Sequence, residues 1–234
     1  MQHKQNLHIH TTYADGKDGP EEIVIEAVKR GFDSIGFSEH SYMSFSSYPY
    51  QMKIEDMPKY QAEIRRLKDK YKNVIDIFCG MELEMYSSVP TDNFDYLIGS
   101  VHYLDFGDNI LGFDRSLEET IAYINTNFGG KGIEFAKKYY KTVANLSENR
   151  KIDIIGHFDL VTKNNEKGKF IDTSSKEYLD FGFEAIHALK GKIPFKGIIS
   201  IVIALIGSTV IAFSDSSDKN NLYGDILALL AAIA

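Results

Sequence analysis

The stretch 6–16, NLHIHTTYADG, sets His8 and His10 two residues apart, with Asp15 five residues beyond. Side chains alternate between the faces of an extended strand, so a spacing of two turns both imidazoles to one face. Similar residues recur downstream. His40 follows IGFSE, Glu82 follows DIFCGM, His102 follows LIGSV, His157 follows DIIG and Asp215 follows VIAFS. Neutral imidazole and carboxylate are ligands that zinc, manganese and iron accept. Taken singly, a histidine after a strand usually packs in a loop or the core, and a glutamate is usually solvated. That ordinary role suits His3, His187, Glu84 and Cys79. It does not account for five of the seven histidines standing at equivalent strand positions. The set as a whole predicts a metal centre.

Such a set needs a scaffold that brings strand ends together. Short β-rich runs alternate with helical patterns along most of the chain. LHIHT leads to PEEIVIEAVKRG, with Pro20 suited to the first helical position and Gly31 to the residue after the last. SIGFS leads, through an aromatic loop at 42–50, to MPKYQAEIRRLKDKY, where Met57, Tyr60, Ile64, Leu67 and Tyr71 recur at helical spacing. VIDIFCG, YLIGSV and IDIIG read as strands, and about 116–126, 132–148 and 175–190 as helices. IPFKGII and TVIAF are the last expected strands, followed by a Leu/Ala helix at 222–233. About seven strands separated by helices predict an α/β barrel, with a doubly wound open sheet as the alternative. In a closed α/β barrel the C-terminal strand ends converge on one face, where sites of this fold are built. The chain has neither a repeat nor a linker, so a single domain over 1–234 is expected.

Composition narrows the function classes. The net charge is −7 and the basic residues form no long run, which argues against a nucleic-acid surface. A single cysteine, Cys79, excludes an internal disulfide and suits an intracellular protein. The first ten residues lack the apolar run of a signal peptide. The apolar stretch 198–213 is short for a membrane span and reads as buried core. The expectation is a cytoplasmic protein with no membrane partner. Oligomeric state has no signature here.

The ordered motifs HIHTTYADG, FSEH, GMELE, GSVHYL and IGHFDLVTK resemble the PHP (polymerase and histidinol phosphatase) family, and within it the histidinol-phosphatase branch, over about residues 5–195. HxH alone would also suit amidohydrolases or TatD-like nucleases. The resemblance implies a distorted (β/α)7 barrel with a trinuclear centre at the C-terminal strand face. Carried onto this sequence, one ion is held by His8, His10, Glu82 and Asp215. A second shares Glu82 and takes His102 and His157, and a third takes Asp15 and His40. The family's last ligand to the third ion is a histidine two residues after the position of Asp215. Here Ser217 stands in that position, and residues 196–234 depart from the family pattern, with no arginine after Arg150.

The chain contains neither GxSxG nor GxxxxGK[ST], so serine-nucleophile and phosphate-loop chemistry are not expected. Two or three divalent ions (Zn, Mn or Fe) would activate water and stabilise a phosphoryl transition state. The expected function is metal-dependent hydrolysis of L-histidinol phosphate in histidine biosynthesis. Asp15 and His40 are the candidates to assist the leaving group, and Lys163 is a candidate contact to the small phosphorylated substrate. The alternatives are a phosphoesterase acting on a nucleotide or sugar phosphate, and a degenerate metal-binding module with little turnover.

Overall fold

The computed structural model describes residues 3–148 and 151–192. These fall into two compact units that divide between Gly99 and Ser100. The last two expected strands and the Leu/Ala helix lie outside the described residues.

The first unit alternates strand and helix: β1 (Gln5–Ile9), α1 (Pro20–Lys29), β2 (Ser34–His40), α2 (Met57–Tyr71), β3 (Asp76–Glu84) and β4 (Tyr96–Ser100). The strands lie in the order β1-β2-β3-β4. The pairs β1–β2 and β2–β3 are parallel, and the second is regular from Ser34↔Asp76 to His40↔Glu82. Strand β2 is buried along its first six residues. A strand covered on both faces reads as continuous burial rather than alternation.

Both helices begin where the sequence places them. Pro20 occupies the first turn of α1, and Glu22 Oε2 accepts the Gly19 N–H at 2.8 Å. Pro58 opens α2, whose Tyr60, Ile64 and Leu67 form a fully buried stripe. The Tyr60 hydroxyl donates to Gly80 O at 2.8 Å, tying that stripe to β3. On the solvent side Glu21 of α1 meets Lys70, Arg66 at 2.6 Å and the Tyr71 hydroxyl at 3.0 Å, all on α2.

A phenol ring crosses this sheet. Tyr96 on β4 lies over Gly80 of β3 and Gly36 of β2, where an added Cβ would meet the ring Cζ at 2.3 Å and the hydroxyl oxygen at 2.4 Å respectively. Its hydroxyl donates to Leu7 O on β1 at 2.5 Å and lies 3.1 Å from Phe37 O. Leu7 sits within a register shift. Asn6 pairs with Ile35 and Ile9 with Phe37, so β1 uses one residue more than β2 over this interval. Tyr96 thus serves a carbonyl inside the irregularity from which His8 projects.

The second unit opens with a short antiparallel hairpin, β5 (Tyr103–Asp105) and β6 (Ile110–Gly112). It continues through α3 (Leu117–Phe128), α4 (Gly132–Ala144), β7 (Ile154–Ile155), α5 (Asn165–Gly168) and α6 (Lys176–Leu189). Ser116 and Glu119 cap α3 reciprocally, and Ser175 caps α6 by accepting the Tyr178 N–H at 3.3 Å. Helices α4 and α6 are joined through the buried Tyr140 and Tyr178 hydroxyls, 2.8 Å apart. The hairpin was not expected from the sequence, and IDIIG delivers a two-residue strand. Among the described residues no helix is long and apolar enough to cross a membrane.

Candidate metal centre

The end of β1 and the ends of β2 and β3 meet at one carboxylate. Glu82 is 1% exposed, and its Oε2 lies 3.2 Å from His8 Nε2, 3.1 Å from His10 Nε2 and 2.9 Å from His40 Nδ1. Register explains the last contact, because His40 and Glu82 are direct partners across β2 and β3. Period two explains the first pair, since His8 in β1 and His10 just past its end arrive from one face. Asp15, on the loop after β1, closes the group. Its Oδ1 lies 2.7 Å from His10 Nδ1, and its Oδ2 faces His40 Nε2 at 3.7 Å.

Potential ligand atoms of His8, His10 and Glu82 lie within 4.8 Å of one another, as do those of His10, Asp15 and His40. The donor set suits a divalent ion. A second observation concerns His10 itself. With a proton on Nδ1 facing Asp15, its Nε2 keeps a lone pair directed at the cluster. That Nε2 is buried and makes no hydrogen bond of acceptable geometry. A buried acceptor of this kind is costly unless something positive meets it. The residues therefore fit a metal ion.

The electrostatics agree. Burial works against charge on the His10 ring, yet the neighbouring Asp15 and Glu82 carboxylates outweigh it and carry the pKa up to about 10, so a proton competes with a metal ion for the Nε2 lone pair. The hydrogen bond with His10 holds the Asp15 carboxyl below its usual range. The cluster thus attracts positive charge at its centre. Next to it, Glu39 is fully buried and burial pushes its carboxyl up to about 7, against the pull of hydrogen bonds from Thr11.

In the second unit His102 and His157 come together, with ring centroids 4.8 Å apart in an edge-to-face arrangement. The Phe113 N–H donates to His102 O at 3.1 Å and the Tyr139 hydroxyl to His157 O at 3.0 Å. His157 has a φ of 22°, a backbone conformation that non-glycine residues rarely adopt. Lys163 is engaged by Asp114, Nζ to Oδ1 at 2.5 Å, which leaves further ammonium donors for a phosphate. Asp215 and Ser217 lie outside the described residues.

Three residues around the first cluster were not singled out from the sequence: Glu39, Thr11 and Tyr96. Of these, only Glu39 stands out in the sequence, as a carboxylate in the strand run SIGFSEH, where it reads as part of the motif around His40.

The chain matches the family model of the PHP domain over residues 6–193. It is 30% identical over 168 residues to a Deinococcus radiodurans protein named "Probable histidinol-phosphatase", a match covering 67% of this chain and 60% of that protein. It is 28% identical over 203 residues to histidinol-phosphatase of Lactococcus lactis subsp. lactis, covering 81% of this chain and 68% of that one. The match to the Deinococcus protein therefore spans less than two thirds of that relative's length. Among solved structures, histidinol phosphate phosphatase from Lactococcus lactis complexed with zinc, L-histidinol and phosphate superposes with a TM-score of 0.65 at 20% identity, over 99% of this chain and 93% of that one. The chain shares that α/β fold, the class predicted from strand–helix alternation, in place of a doubly wound open sheet.

Proposed function

Because the chain belongs to the PHP domain family, we propose that it is a metal-dependent phosphomonoesterase that hydrolyses L-histidinol phosphate to L-histidinol and phosphate. The relatives named histidinol-phosphatase support the substrate. One observation carries the reaction class: three imidazole nitrogens converge within 3.2 Å of a single buried Glu82 oxygen. Divalent ions held there would supply an activated water and positive charge opposite the non-bridging phosphoryl oxygens.

The chain's own residues have separable tasks. Glu82, buried beneath the rings, anchors His8, His10 and His40 from one side. These rings keep 34%, 18% and 22% of their side-chain surface, so the cluster is open to a ligand from the other side. Asp15 fixes the tautomer and orientation of His10 through the 2.7 Å contact. Of the two candidates to assist the departing alkoxide of L-histidinol, Asp15 accepts from His10 and is held as the carboxylate, so the proton-donor role falls to His40. The facing atoms of Asp15 and His40 stand 3.7 Å apart, beyond hydrogen-bond length.

The test is phosphate release from L-histidinol phosphate by protein reconstituted with manganese or zinc, compared with a chelated control and with nucleotide and sugar phosphates. Metal-dependent turnover favouring L-histidinol phosphate is expected. Preference for another ester would move the substrate while keeping the chemistry. No turnover on any ester, with metal bound, would refute the phosphatase assignment.

A further inference from the structure

A buried acid with no task in the chemistry above stands one residue before His40. Glu39 and Thr11 are both fully buried. The Thr11 N–H reaches Glu39 Oε1 at 3.0 Å and Oε2 at 3.1 Å, and the Thr11 hydroxyl donates to Oε1 at 2.7 Å. Thr11 directly follows His10 and is also the hub of the next loop. Its carbonyl accepts the Ala14 N–H at 3.0 Å and the Gly16 N–H at 2.9 Å, and its hydroxyl oxygen accepts the Tyr13 N–H at 3.2 Å. These bonds bracket Asp15, whose carboxylate meets His10 at 2.7 Å.

We infer that Glu39, acting through Thr11, is a positioning residue that fixes the 11–16 loop and so sets Asp15 against His10 and His40. Resting on the metal-centre reading, this deepens it by naming what aims the Asp15 ligand. A carboxyl group suits the task because its oxygens accept from an N–H and an O–H at once. Burial of the pair keeps water from replacing either bond.

The test uses two pairs of variants of the full chain. Thr11→Val removes the hydroxyl at nearly constant shape, and Thr11→Ser retains it. Glu39→Met removes the acceptor, and Glu39→Gln keeps one oxygen that both Thr11 donors can reach. The first readout is hydrogen–deuterium exchange of metal-free protein. The Ala14 and Gly16 amides should exchange about tenfold faster in Thr11→Val and Glu39→Met, the scale of one lost hydrogen bond. They should stay near parent values in Thr11→Ser and Glu39→Gln. The second readout is manganese or zinc titration, where the same two disruptive variants should bind one ion about 10- to 100-fold more weakly, as for loss of a residue that orients a ligand. Should Glu39→Met fail to fold, the threonine pair decides the question. Parent-like exchange in Thr11→Val would overturn the inference, and so would faster exchange with undiminished metal affinity. If the parent chain binds no divalent ion, the metal-centre reading fails, while the exchange data still decide whether Glu39 fixes the loop.

Discussion

Replacing Gly80 with alanine probes the scaffold beneath the site. A Cβ at Gly80 would lie 2.3 Å from Tyr96 Cζ, 2.5 Å from Cε1 and 2.6 Å from Cε2, so it would press into the middle of the ring. The ring is the only one of the two that can yield, and it must retreat by roughly 1 Å to restore ordinary contact. Retreat pulls the hydroxyl from Leu7 O, now 2.5 Å away, and from Phe37 O. Overpacking a core typically costs about 1–3 kcal/mol. Stranding a buried hydroxyl and its acceptor adds about 1–3 kcal/mol. Stiffening of the unfolded chain by alanine returns about 0.4–1 kcal/mol. The net expectation is a loss of about 3 kcal/mol, or roughly 6–12 °C in Tm for a chain of this size. Urea and thermal unfolding measure it, and a double-mutant cycle assigns the cause. In a Tyr96→Ala background the Gly80→Ala cost should fall to about 0.5 kcal/mol or less, because the ring it collides with is gone. A cost near zero in the parent, or an equal cost in both backgrounds, would refute the proposed seating of Tyr96 over Gly80.

Three further outcomes are expected. His10→Ala should lower bound metal and reduce phosphate release to the chelated background, and unchanged turnover would remove His10 from the centre. Hydrogen bonds from Lys70, Arg66 and Tyr71 lower the Glu21 pKa from 4.5 to about 2. A depressed carboxyl contributes stability that is complete above the unfolded pKa and is lost as pH falls through the folded one, so its contribution should fade between about pH 4.5 and 2. Acid titration of unfolding midpoints should show Glu21→Gln flattening that slope, by a small amount that shrinks further in high salt. Burial raises the Cys79 thiol to about 12 and leaves 4% of the residue exposed, so a thiol reagent at pH 8 should label it only after denaturation.

The parts of this fold legible in the sequence are those in which local chemistry and tertiary contact agree. Helix α2 runs from Met57 to Tyr71, as apolar spacing predicts, and its central three apolar positions are the buried ones. Convergence of His8, His10, His40 and Glu82 followed from placing each at a strand end. The β5–β6 hairpin was not legible, because three-residue strands are too short to show alternation and the intervening FGDN reads only as a turn. Glu39 was masked by its neighbour: beside His40 it looks like one more acid in a ligand motif, and only its three bonds to Thr11 reveal a different task. The role of Tyr96 depends on two glycines that are distant in sequence and silent until the strands are paired.

The extra residue in β1 has a consequence for comparing this chain with its relatives. Gln5 and Asn6 count in step with Ser34 and Ile35, whereas Ile9 counts in step with Phe37. The strand thus holds two reading frames with respect to its neighbour; His8 lies within the shift between them and His10 follows the later one. A gap opened between Asn6 and Ile9 in a pairwise alignment would therefore be no neutral adjustment. A homologue that kept HIH but lost one residue just before it would preserve the motif as text while changing which face of the sheet those rings leave from.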